Sequence, residues 1–92
     1  MLELLVEFLG SFIFFSVILQ HGAAIPIAIA LAAAIYFGGK ISGGHFNPAV
    51  SMMMIMNGSK TSFEMFQYIA IQCLAAGAAV QFNKLVMTSA RS

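Results

Sequence analysis

Few residues in this chain of 92 could do chemistry. Its acids are Glu3, Glu7 and Glu64, with no aspartate, and beside them stand only His21, His45 and Cys73. No nucleophile has a base at a usable spacing and no cofactor motif is present, so covalent or acid–base catalysis is not expected, and neither is a cofactor. His45 lacks nearby candidate ligands, so no metal site is expected either. What remains is hydrogen bonding in an apolar setting. Four residues are placed to do it: Glu7, about one turn into an apolar run; Gln72, midway along another; and His45 and Asn47 in the stretch between them.

That stretch is Ser42-Gly43-Gly44-His45-Phe46-Asn47-Pro48-Ala49-Val50-Ser51. Its glycines loosen a loop, Asn47 is a good helix N-cap, and Pro48 suits the first helical position. The apolar run that follows, to Asn57, is about nine or ten residues, or roughly 15 Å of helix. A bilayer core is roughly 30 Å thick. A capped helix that halts halfway leaves its positive end and free N–H groups at mid-membrane. Such an end is tolerated only inside protein or against a wet cavity, so the stretch marks a candidate pore or solute site.

Stepping outward, the elements that hold this stretch are apolar spans. The chain is 61% hydrophobic and 8% charged, with mean hydropathy +0.96. Soluble domains carry roughly a quarter charged residues, so one small integral membrane domain is expected, with lipid as its surroundings. A net charge of +1 and no basic run give no nucleic-acid signal. Three spans are predicted, over residues 4–20, 23–39 and 63–82, with the re-entrant loop and half-helix over 42–57. The N-terminal segment carries Glu3 and Glu7 and no Lys or Arg, the wrong flank for a signal peptide, so it is expected to be retained as a span. Asn57-Gly58-Ser59-Lys60 reads as a turn, Ser62 as the cap of the third span, and Lys84 to Arg91 as a polar tail.

Within the spans several residues admit two readings. Glu7 either snorkels to the nearby surface or turns inward to accept hydrogen bonds from the loop. Gln72 either joins two helices or braces the loop. His45 is expected to tie the loop to its neighbours, and His21 to lie in an interfacial turn. Ala24, Ala28 and Ala32, then Ala75, Ala76, Gly77 and Ala79, are small residues suited to close helix approach in lipid. Cys73 allows no internal disulfide and is expected to be a small buried apolar residue.

The ten-residue stretch resembles the SGxHxNPAVT signature of the major intrinsic protein family, the aquaporins and aquaglyceroporins, with Ser51 departing but keeping the hydroxyl. Glu7-Phe8-Leu9-Gly10-Ser11 resembles the family's first-helix EFLGT, and Tyr68-Ile69-Ala70-Ile71-Gln72 its third-helix YxxAQ. Ile71 stands where the family usually has alanine. The resemblance covers nearly the whole chain but one of the family's two inverted repeats, each of three spans and a half-helix. It implies an all-α membrane protein, one aquaporin-like repeat, serving passive transport of water or small neutral solutes such as glycerol. Asn47 would be the pore asparagine, donating its amide to a passing solute. Pro48 and Ala49 would stack on the same motif of the other repeat. Glu7 and Gln72 would hold the loop; His45, Gly43 and Gly44 would supply solute-accepting carbonyls and the loop anchor. Two opposed helix N-termini would make the centre positive and repel cations.

Three and a half spans cannot enclose a pore, so a second half-repeat is expected, from an inverted copy of this chain or from a partner chain, within a larger assembly of the tetramer kind. Lys40 and Lys60 fall on one side and Lys84 and Arg91 on the other, which gives the positive-inside rule no preference. Val50 stands where the family's second repeat has a filter arginine. Ile27, Leu31 and Ile35 are the expected selectivity positions of the second span, all aliphatic. A second reading is a non-conducting protein, or a truncated remnant, that binds another helix bundle through its small-residue faces.

Overall fold

The computed structural model describes residues 1–91, in four helices: α1 (Leu2–His21), α2 (Ala24–Ser42), α3 (Pro48–Met56) and α4 (Ser62–Arg91). Ser92 and the side chains of Ala90 and Arg91 lie outside that description, so the charge expected at Arg91 has no structural counterpart here. There is no strand among the described residues, and α1, α2 and α4 are each long and apolar enough to cross a membrane. The protein is an all-α integral membrane protein.

Its burial pattern is inside out. Glu7, Ser11, Ser16, Ser42, His45, Ser51 and Gln72 are buried, whereas Leu5, Leu9, Ile13, Ile25, Ile29 and Leu74 are exposed. In water this arrangement would fail. In hydrocarbon it places apolar side chains in a matching solvent and gives Glu7, Ser42, His45, Ser51 and the Gln72 amide nitrogen partners inside. Because lipid is as apolar as leucine, helix association must rest on close packing and internal hydrogen bonds. The buried stripe of α4 shows both. Met65, Tyr68, Gln72, Ala75 and Ala79 are all buried and recur at spacings of three and four, so they share one face. Ala75 and Ala79, fully buried, are small enough to let α1 approach.

Chain direction follows from the contacts. Helix α1 packs against α2 and α4, and α3 packs against α4. Only Gly22 and Ala23 join α1 to α2, so these two run antiparallel. Glu7 meets Gln72 and Phe12 meets Phe82, in the same order along both helices, so α1 and α4 run parallel. The short turn after Met56 returns α3 antiparallel to α4. The C-termini of α2 and α3 and the N-termini of α1 and α4 therefore share one side.

Several boundaries differ from the sequence reading. Helix α1 starts at Leu2 rather than at residue 4, and α4 runs on to Arg91 rather than ending at 82, taking up the expected polar tail. No proline or glycine interrupts residues 78–91, and at about 1.5 Å per residue α4's 30 residues reach roughly 45 Å, well past a bilayer core. The start of α4 is capped by Thr61, not Ser62: Thr61 Oγ1 accepts from Glu64 N at 3.2 Å and donates to Glu64 Oε1 at 3.1 Å. Cys73 is exposed rather than buried, since on an inside-out helix an apolar residue needs no interior. Ala24, Ala28 and Ala32 lie on an exposed face of α2, while Ala75 is enclosed between α1 and α4.

Candidate functional site

The loop at residues 43–47 is held by one carboxylate. Glu7 is fully buried on the inner face of α1, so of its two readings the structure shows the inward one. Its Oε1 accepts from Phe46 N at 2.8 Å and from Gln72 Nε2 at 2.9 Å. Its Oε2 accepts from Ser42 Oγ at 2.7 Å and from His45 N at 3.1 Å. Four donors on two oxygens match the acceptor capacity of a carboxylate. They replace the water that the group loses in a membrane. Two of the donors are backbone N–H groups of the loop, which has no ladder or helix of its own to satisfy them.

A second layer ties the loop to the half-helix. Gln72 Nε2 also donates to Ser51 Oγ at 3.0 Å, and His45 Nδ1 pairs with Ser51 Oγ at 3.0 Å. Tyr68 donates its hydroxyl to Ser42 O at 2.7 Å, and its ring lies 5.2 Å from that of His45. Ser42 Oγ in turn accepts from Gly44 N at 3.1 Å. Ser42, Ser51 and Tyr68 were given no role from the sequence, although all three stand in the motifs quoted above. The signals were present: Tyr68 is one helical turn before Gln72, and Ser51 keeps a hydroxyl in an otherwise apolar run.

The loop conformation needs both glycine and force. Gly43 and Gly44 have φ of 93° and 67°, left-handed values that suit glycine. Phe46 also has φ of 52°, an uncommon value for a residue with a side chain. Its N–H is held by Glu7 and its ring is fully buried against Gly10 and Gly38, which together fix it there. A Cβ on Gly10 would overlap that ring, and one on Gly38 would come within 2.7 Å of Val6 Cγ1.

Held this way, Asn47 opens α3. Its backbone is extended, its Oδ1 accepts from Ala49 N at 2.8 Å, and Pro48 takes the first helical position. Asn47 and Ala49 are exposed, and Pro48 and Val50 are half-buried. Gln72 lies about 15 Å along α4, and Ser51, its partner, about 5 Å from the start of α3. The α3 N-terminus therefore lies near mid-depth of the spans, with its asparagine on the open side. Among the expected selectivity positions, Ile35 lies against Gly44: a Cβ there would be 3.4 Å from Ile35 Cγ1. Ile27 and Leu31 are half-buried higher on α2. Among the described residues no group of three His, Cys, Asp or Glu side chains could hold a metal.

Comparison with known proteins gives a consistent result. Residues 2–92 match the family described as Major intrinsic protein. The chain is 38% identical over 98 residues to Aquaporin-9 from Homo sapiens, covering 88% of this chain and 33% of that protein. It is 36% identical over 85 residues to the Glycerol uptake facilitator protein-like 6 from Lactiplantibacillus plantarum, covering 83% and 39%. It is 44% identical over 59 residues to Aquaporin TIP4-1 from Zea mays, covering 62% and 23%. The chain thus spans between about a quarter and two fifths of the length of these relatives. No solved structure matches it.

Proposed function

Because the chain belongs to the major intrinsic protein family, we propose that it forms one half of a membrane channel that passes water or small neutral solutes, glycerol among them, down their gradients. One observation carries this reading: a capped helix N-terminus lies near mid-depth of the spans with Asn47 on its open side. Asn47 spends its Oδ1 on the cap, which leaves the Nδ2 hydrogens for the oxygen of a passing solute. The positive end of α3 disfavours cations at the same depth. Val50 adds no charge, and Ile27, Leu31 and Ile35 supply an aliphatic wall on the α2 side. Water and glycerol both accept hydrogen bonds and carry no charge, so both suit such a path.

The open side of the loop calls for a second half-repeat. An inverted copy of this chain would bring a second Asn47, Pro48 and Ala49 against the first; another chain carrying the same motif would serve equally. The exposed Ala24, Ala28 and Ala32 ridge on α2 offers a close-packing face to neighbours in a larger assembly. The same ridge supports the second reading, a non-conducting chain that docks on another bundle. Ala75 plays no part in that, being enclosed within the chain.

The variant Asn47→Asp separates capping from conduction. Aspartate caps a helix about as well as asparagine, so the melting midpoint in micelles should stay close to that of the unaltered chain. The amide donor is lost. One neutral hydrogen bond is worth about 0.5–1.5 kcal/mol, so solute flux into liposomes should fall by about two- to tenfold. Unchanged flux would overturn the role given to Asn47.

A further inference from the structure

We propose that the free face of α3 binds a soft monovalent metal ion, Cu⁺ or Ag⁺, through the thioethers of Met52, Met53 and Met56. Helix α3 turns Ser51 toward α4, with Met54 and Ile55 half-buried beside it. The opposite face carries Ala49, Met52, Met53 and Met56, at spacings of three, four and seven, and all four are exposed. The three methionines are 42%, 52% and 81% exposed, with Met56 the most open.

Residues three and four apart on a helix have Cβ atoms about 5–6 Å apart. A methionine side chain has three rotatable bonds, so the sulfurs of Met52, Met53 and Met56 can converge on one ion without moving the backbone. Thioethers are soft, uncharged donors and select Cu⁺ over hard or borderline divalent ions. Apolarity alone does not call for this side chain, since leucine or isoleucine would suit lipid or a partner helix equally. Yet methionine fills four of the five positions from 52 to 56.

Position adds a second argument. Met53 and Met56 lie in the last turn of α3, where the helix dipole is negative and favours a cation. That turn contains no basic residue. Lys60, four residues past Met56, is exposed on a long side chain, and Glu64 in the first turn of α4 is exposed as well. The C-terminus of α3 is on the side of the membrane that holds the loop ends, so an ion reaches it from water. The site depends on the face of α3 and not on conduction.

Metal retention by the purified chain in micelles tests this directly, without a transport assay. Cys73 is an exposed thiol and would itself take Cu⁺, so the chain carries Cys73→Ser. Under anaerobic, reducing conditions it is titrated against a coloured Cu⁺ chelator. One Cu⁺ per chain should be withdrawn from the chelator, and Zn²⁺ should not be retained. The triple change Met52→Leu, Met53→Leu and Met56→Leu should abolish retention with unaltered helical content. Met87→Leu, on α4, should leave it intact. Failure of the Cys73→Ser chain to retain Cu⁺ would overturn the proposal. So would equal retention by the triple variant. If the triple variant loses helix, Met56→Leu alone decides: weakened retention supports the site and unchanged retention removes it.

Discussion

Glu7→Ala is expected to release the re-entrant loop and to cost about 3–5 kcal/mol, summed over the buried donors left without an acceptor. The carboxylate is the acceptor for Ser42 Oγ, His45 N, Phe46 N and Gln72 Nε2. Alanine leaves four buried donors facing an apolar side chain, at about 1–3 kcal/mol for each that finds no substitute. Ser42 has one at hand, since its hydroxyl lies 3.4 Å from Gly38 O. The two backbone N–H groups have none, and Phe46 is then left at its positive φ without the bond that holds it. Glu7→Gln keeps one acceptor oxygen and sets an NH₂ against donors, so it should fall between. Thermal unfolding in micelles checks the order: unaltered chain above Gln above Ala. An Ala variant that melts with the unaltered chain would show that the loop is held by something other than Glu7.

Gly10→Ala is the second large effect, and it acts through shape rather than charge. The new methyl group would occupy the space of the Phe46 ring, which is fully buried. Overpacking of this kind costs about 1–3 kcal/mol. The strain passes directly to the loop, because Phe46 precedes Asn47. Flux through a proposed pore should therefore fall along with stability. Gly77→Ala is the contrast: a Cβ there meets nothing within 4 Å, and alanine is the better helix former by about 1 kcal/mol. That variant should melt at or above the midpoint of the unaltered chain. If both glycines behaved alike in the melt, the tight approach of α1 to Phe46 would be wrong.

The spans and the half-helix were legible because each rests on local signals. Long apolar runs suit a bilayer whatever surrounds them, and Asn47 followed by Pro48 opens a helix by its own chemistry. Glu7 was legible as a residue that needs partners, with the loop as one of two readings, but not which atoms of the loop would meet it. His45, Phe46 and Gln72 reach it from 38, 39 and 65 positions away, and no periodicity encodes that meeting. Ser51 was harder still, since its bonds to Gln72 and His45 exist only once α3 has folded back on α4. Cys73 went the other way: the expectation that a small apolar residue is buried belongs to water, and α4 exposes it to lipid instead. The end of α4 was missed because polarity after residue 82 marks the edge of a membrane, not the end of a helix.

Conduction by this loop and half-helix is tested most directly by the rate at which liposomes containing the purified chain as their sole protein shrink in a hyperosmotic, impermeant solute. Shrinkage should be faster than in protein-free liposomes of the same lipid, with the excess reduced in Asn47→Asp. Equal rates with and without the chain, in vesicles shown to contain folded protein, would contradict a pore built from copies of this chain.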